Sequence, residues 1–164
     1  MAGNTDTDMG LNNAFAEIEK FKNMCVKVGV VEGTDSELVK IAAANELGVA
    51  GPPVSQNGGS EWFIPPRPFV KGWADASREK IGRLVQRLYG QVAGGRMTTE
   101  TALEKLGEFG ELGVKSYMGG NNFTPNADST IKRKGSSQPL MDTGHLKRDG
   151  VRYEIVRKPY TGVH

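Results

Sequence analysis

Residues 64–92 read IPPRPFVKGWADASREKIGRLVQRLYGQV, and the change of character within this stretch decides the fold class. Ile64-Pro65-Pro66-Arg67-Pro68-Phe69 cannot be helical, because each proline drives its predecessor out of the α region. From Val70 onward the pattern changes. Ile81, Leu84, Val85, Leu88 and Val92 follow the i, i+3, i+4, i+7, i+11 spacing of an amphipathic helix, which predicts a helix over about Val70–Val92, broken by Ala93-Gly94-Gly95. A stiff extended segment feeding a long helix points to a mixed α+β chain.

On the C-terminal side, Thr98 is placed to cap a second helix over Thr99–Met118, with Leu103, Leu106, Gly110, Val114 and Tyr117 on one face. Gly107, Gly110 and Gly113 recur inside it, each costing about 1 kcal/mol relative to alanine. Either they mark a close helix crossing, or the helix is held by its surroundings. Three-residue spacing drifts around the surface, which favours the second reading. Pro125–Lys134 reads as a short helix with a basic end, Pro139–Leu146 as a compact segment, and Val151–Arg157 as a half-buried strand.

On the N-terminal side, Cys25–Val31 alternates as a strand. Thr34-Asp35-Ser36-Glu37 then offers capping residues for a helix over Ser36–Leu47, with Leu38, Ile41, Ala42 and Asn45 on one face and Gly48 as its stop. Val49–Pro66 reads as a long loop ending in Trp62-Phe63-Ile64, an apolar cluster that must be buried. Ala14–Asn23 has Phe15, Ile18 and Phe21 at helical spacing. The expected organisation is a flexible arm over 1–13, one α+β domain over 14–158 and a tail over 159–164. Within the domain, a small mixed sheet packs against two longer central helices.

The composition narrows the function classes. The 164 residues carry a formal net charge of +2, too little basic excess for a dedicated nucleic-acid domain. A single cysteine, Cys25, fits a reducing compartment and a small apolar strand position. The first nine residues lack the features of a signal peptide, and no apolar run reaches membrane-spanning length, so a soluble protein of the cytosol is expected. The two histidines, His145 and His164, have no ligand-spaced partners, so no metal or cofactor is expected. Asp142-Thr143-Gly144-His145 compresses acid, hydroxyl and imidazole into four residues. That suits a turn rather than a triad, in which tertiary contacts hold each group in its role. No catalytic residue is assigned, and an enzyme is not expected. Lys132-Arg133-Lys134, reinforced by Lys147 and Arg148, reads either as a solvated helix end or as a contact to DNA or an acidic partner.

Four segments, taken in order, resemble a known family. They are Val26-Lys27-Val28-Gly29-Val30; Ile41-Ala42-Ala43-Ala44-Asn45-Glu46-Leu47-Gly48; Ile64-Pro65-Pro66-Arg67-Pro68-Phe69 leading into a long helix; and Pro125-Asn126-Ala127-Asp128-Ser129-Thr130-Ile131-Lys132-Arg133-Lys134-Gly135 with Pro139-Leu140-Met141-Asp142-Thr143-Gly144-His145-Leu146 and a closing strand. Together they span residues 26–157. The set is similar to the tailed-phage neck and tail-completion family, which includes the minor tail protein Z group and other virion morphogenesis proteins. The resemblance implies a structural α+β subunit that assembles with copies of itself into a ring at the head–tail junction. Such a ring joins portal or head-closure proteins to the tail around the DNA channel. The alternative it leaves is a tail-terminator or tail-completion ring on the tail tube. Other classes are a nucleic-acid-binding accessory protein, disfavoured by charge and missing aromatic stacking, and a small hydrolase, disfavoured by the lack of an assembled catalytic set. The implied partners are neighbouring head-closure, tail-terminator or tail-tube proteins, with DNA only as non-specific channel contents and no membrane. The implied location is the virion, after synthesis in the host cytoplasm. The stiff Pro65–Pro68 segment costs little entropy to order, so Ile64–Phe69 is the expected subunit contact. The loop Val49–Glu61 and the arm Met1–Asn13 depart from the family pattern.

Overall fold

A computed structural model describes residues 9–51, 62–120, 122–123, 125–126, 132, 140 and 144–157. In chain order the elements are α1 (Met9–Asn23), β1 (Cys25–Gly29), α2 (Ser36–Leu47), β2 (Val49–Gly51), β3 (Trp62–Ile64), α3 (Phe69–Ala93), α4 (Thr99–Met118), a single π-helical turn (Leu146–Gly150) and β4 (Arg152–Val156). The fold is α+β. Its strands form two separate two-stranded sheets, β1 with β4 and β2 with β3.

Caps fix the starts of α2 and α4 where the sequence places them. Asp35 Oδ1 accepts from the N–H groups of Glu37 and Leu38 at 2.9 and 3.3 Å, and Thr98 Oγ1 accepts from Thr101 N–H at 3.3 Å. Two boundaries differ from expectation. Residues 9–13, read as part of an arm, belong to α1. Glycine and asparagine are weak helix formers, but extending an existing helix avoids the nucleation penalty. The stretch read as one loop, Val49–Pro66, is a strand at each end of its described part, with Val49 opposite Ile64 and Gly51 opposite Trp62 in antiparallel register. Three-residue strands are too short to show an alternating pattern.

The chain divides into two compact units. The first draws its described residues from 9–27, 78–108 and 154–157. Leu88, Val92 and Ala102 form its buried core, with Phe21, Leu84, Met97 and Leu106 packed around them. Phe21 and Tyr89 meet edge to face at 5.8 Å. Val85, expected inward, is 40% exposed because it sits at the margin of the apolar arc. Thr99 is fully buried; its N–H donates to Glu17 Oε2 at 2.6 Å and its hydroxyl to the Glu17 carbonyl at 2.7 Å. Lys20 pairs with Glu17 at 2.6 Å and with Glu100 at 3.3 Å.

The second unit comprises residues 28–77 and 109–153. Its core is Ala42, Phe69, Val114, Met118, Leu146 and Val151, with Val28, Val30, Val70 and Trp73 packed against it. The glycines of α4 resolve in favour of close approach, against the favoured reading. A Cβ at Gly110 would lie 2.6 Å from Val28 Cγ2, and one at Gly113 would overlap the Trp73 indole. On α3, a Cβ at Gly72 would lie 2.9 Å from the Tyr117 hydroxyl. Each helix therefore presents a glycine to an aromatic ring of the other. The drift that argued against a crossing is what lets Gly110 face β1 while Gly113 faces α3.

Gly113→Ala should destabilise the protein by about 2 kcal/mol through overpacking, read as a lower denaturant midpoint at unchanged slope. Adding Trp73→Leu should return part of that loss. A hydrogen bond from Lys20, and then one from Thr99 N–H, hold the Glu17 carboxyl below its ordinary range. Its contribution is therefore present above the unfolded carboxylate range and lost as pH falls through the lower folded value. Glu17→Gln should reduce stability at about pH 7 and close the gap to wild type on acidification to about pH 3, in denaturation curves at both pH values.

Candidate functional site

Within the second unit, the end of α2, the extended segment before α3 and the first turn of α3 meet around one buried cation. The proline-rich segment alternates as extended chain should. Pro66 and Pro68 face outward, while Arg67 and Phe69 are buried at 8% and 1% exposure. Phe69 enters the core. Arg67 turns toward α2, its N–H donating to the Asn45 carbonyl at 2.6 Å.

The Arg67 guanidinium has amide partners only among the described residues. Nη2 donates to Asn126 Oδ1 at 3.0 Å and Nη1 reaches Asn45 Oδ1 at 3.5 Å, while Nε is buried without a partner. Asn45 uses its own Nδ2 to bond the Ile41 carbonyl at 2.7 Å, which leaves its oxygen facing the arginine. Burial lowers the guanidinium pKa, yet arginine stays a cation. Removing one acceptor from a buried cation costs several kcal/mol more readily than it rearranges.

Glu46, the next residue, caps α3 from 24 positions away. Its Oε2 accepts from Val70 N–H at 3.1 Å and its Oε1 from Lys71 N–H at 3.0 Å. Pro68, just before the helix, has no side-chain acceptor, so the carboxylate supplies both the cap and a negative charge at the positive end of the helix dipole. Gly48 then makes the approach feasible. Its φ is 74°, and a Cβ there would lie 2.9 Å from Pro66 Cδ and 3.0 Å from the Ile64 carbonyl. Asn45, Glu46 and Gly48 thus each hold the proline segment by a different means.

Beside this junction lies an open groove of about 610 Å³, lined by Val28, Val30, Val39, Leu47, Phe69 and Val70 with Glu32 and Glu46 among its polar residues. Leu47 (77%) and Phe63 (66%) stand exposed nearby in sequence. Phe63 belongs to the cluster expected to be buried; its place in the three-residue β3 turns it outward.

Of the six residues expected to form a subunit contact, Arg67 and Phe69 are consumed inside the fold. Ile64 and Pro65 are half-buried, and Pro66 and Pro68 remain outside. Three of the five residues of the expected basic group lie among the described residues. Lys132 is exposed, Lys147 is half-buried, and Arg148 is held by Asp149, its Nε donating to both carboxylate oxygens at 3.1 and 3.0 Å. Arg133 and Lys134 lie outside the described residues. His145 Nδ1 lies 3.8 Å from Asp149, and Gly144, with φ 71°, takes the turn before it. Among the described residues no group of three or more His, Cys, Asp or Glu gathers as for a metal ion, and none of their helices is long and apolar enough to cross a membrane.

Glu46 and Asn126 carry the junction, but no local pattern marks either as a partner of the proline segment. No family model matches the chain, and no curated protein or solved structure matches it.

Gly48→Ala should destabilise by roughly 2 kcal/mol, combining a left-handed backbone with a clash against Pro66. Glu46→Gln should cost about 1 kcal/mol through the weakened cap. Chemical denaturation of each variant measures both, and a neutral Gly48→Ala would overturn the close-approach account.

Proposed function

We propose that this chain is a structural subunit of an oligomeric ring in the neck of a tailed bacteriophage, joining head-closure or portal components to the tail around the DNA channel. One observation carries the reading. Residues from three of the segments on which the family resemblance rests meet around the proline segment: Asn45 and Asn126 reach the Arg67 guanidinium, and Glu46 caps the helix that follows it. Segments that are scattered in sequence but locked together in the fold act as one structural signature. It is built from a cation, two amides and a capping carboxylate, a set suited to fixing the shape of a joint rather than to transferring protons or groups.

The surface beside the joint supports the same role. Phe63 and Leu47 expose large apolar area, with Val49 and the outward Pro66 and Pro68 in the same unit. Where such side chains join into one contiguous patch, they mark a surface that meets another protein. Stiff proline backbone loses little entropy on docking. The residues that make the contact are thereby Phe63, Pro66 and Pro68, while Arg67 and Phe69 set their orientation from inside.

Particles should contain this protein in multiple copies at the head–tail junction, located by electron microscopy of virions carrying a labelled subunit. A phage lacking the gene should accumulate filled heads and free tails that fail to join. Mature virions devoid of the protein, or normal titres from the deletion, would sink the proposal.

A further inference from the structure

Charges on the helices of this protein are mostly neutralised one turn away. Glu17 pairs with Lys20, Glu19 with Lys22, Glu37 with Lys40, Lys71 with Asp75 and Glu111 with Lys115. Two stretches break this pattern. On α3, Lys80, Arg83 and Arg87 recur at i, i+3 and i+7 on one exposed stripe. On α4, Glu104 and Glu108 stand exposed at i and i+4, and the next position along the stripe, Leu112, is 67% exposed. None of these five charges makes an ion pair among the described residues. Glu79 and Lys105 sit beside the two stripes and are likewise outside those pairs. Like charges at these spacings repel by a few tenths of a kcal/mol, about 0.2–0.5 per pair, so each stripe slightly destabilises its own helix.

The imbalance is concentrated on the two helices. α3 holds Lys71, Arg78, Lys80, Arg83 and Arg87 against Asp75 and Glu79, a net +3 in a chain whose total is +2. α4 holds Glu100, Glu104, Glu108 and Glu111 against Lys105 and Lys115, a net −2. The stripes also match in length. Lys80 to Arg87 rises about 10 Å along its axis and Glu104 to Leu112 about 12 Å.

We infer that the Lys80–Arg83–Arg87 stripe of one copy docks on the Glu104–Glu108 stripe of a second copy, with Leu112 as the apolar end of the contact. Each stripe then finds counter-charges it does not pair with on its own helix. Duplex DNA on the basic stripe would account for three of the five charges and leave the two glutamates unexplained. No aromatic residue interleaves the cations, as single-strand binding would use. The contact joins unlike surfaces, the kind that closes into a ring when successive rotations sum to a full turn. It deepens the ring proposal and rests on it for the reason copies meet.

Sedimentation at low and high salt tests the contact on wild type, Arg83→Glu/Arg87→Glu, Glu104→Lys/Glu108→Lys and the four-fold reversal. Wild type should associate at about 50 mM salt and weaken at about 500 mM. Each double reversal should lower the association constant about tenfold, and the four-fold reversal should recover most of it. In a Cys25→Ser background, a mixture of Arg83→Cys and Glu104→Cys chains should form a mixed disulfide on oxidation, a readout that does not depend on how tight the contact is. Monomers at every concentration with no mixed disulfide would overturn the inference, as would double reversals that leave association unchanged. If Arg83→Glu/Arg87→Glu abolished retention of duplex DNA without altering association, the stripe would be a DNA face and the inference wrong. Charge-swap recovery in a protein absent from virions would uphold the contact while removing the neck assignment.

Discussion

The second unit depends on a carboxylate that reaches across two dozen residues to a helix start. Glu46 closes the N-terminal turn of α3, where the preceding proline offers no acceptor, and so ties the end of α2 to the longest helix of the chain. The neighbouring Asn45 and Gly48 complete the joint, one by bonding Arg67 and the other by vacating space for Pro66. A residue that caps a distant helix stabilises two elements at once, since loss of either end frees both backbone donors and the dipole they carry.

This joint explains why the proline segment is stiff. An extended chain with prolines at three of four successive positions has few conformations to lose. Alternation along it sends Arg67 and Phe69 inward and leaves Pro66 and Pro68 outside. Under the neck reading, the same backbone organises the interior and presents a firm edge to a partner. The buried guanidinium, met by amides among the described residues and left with an unpartnered Nε, contributes shape more than stability.

Much of the fold was legible because it rests on local chemistry. The bounds of Ser36–Leu47 and Thr99–Met118 follow from Asp35 and Thr98, whose side chains cap within their own turns. The apolar faces around Leu88, Val92 and Val114 follow from helical spacing. What escaped the sequence depends on pairs far apart in the chain. Glu46 carries no mark of the helix it caps, Thr99 none of Glu17, and the short β2 and β3 only reveal themselves as partners once folded. Arg148, one of the cations singled out in the sequence, is answered by its immediate neighbour Asp149.

The reciprocal fit of Gly72 against Tyr117 and Gly113 against Trp73 carries a consequence for descent. Neither glycine can enlarge while the opposing ring stays, and neither ring can shrink without opening a void. The four positions should therefore drift as two linked pairs across related chains. A lineage that gains a methyl group at 113 would be found with a smaller residue at 73, and such paired exchanges would trace common ancestry where overall similarity has already faded.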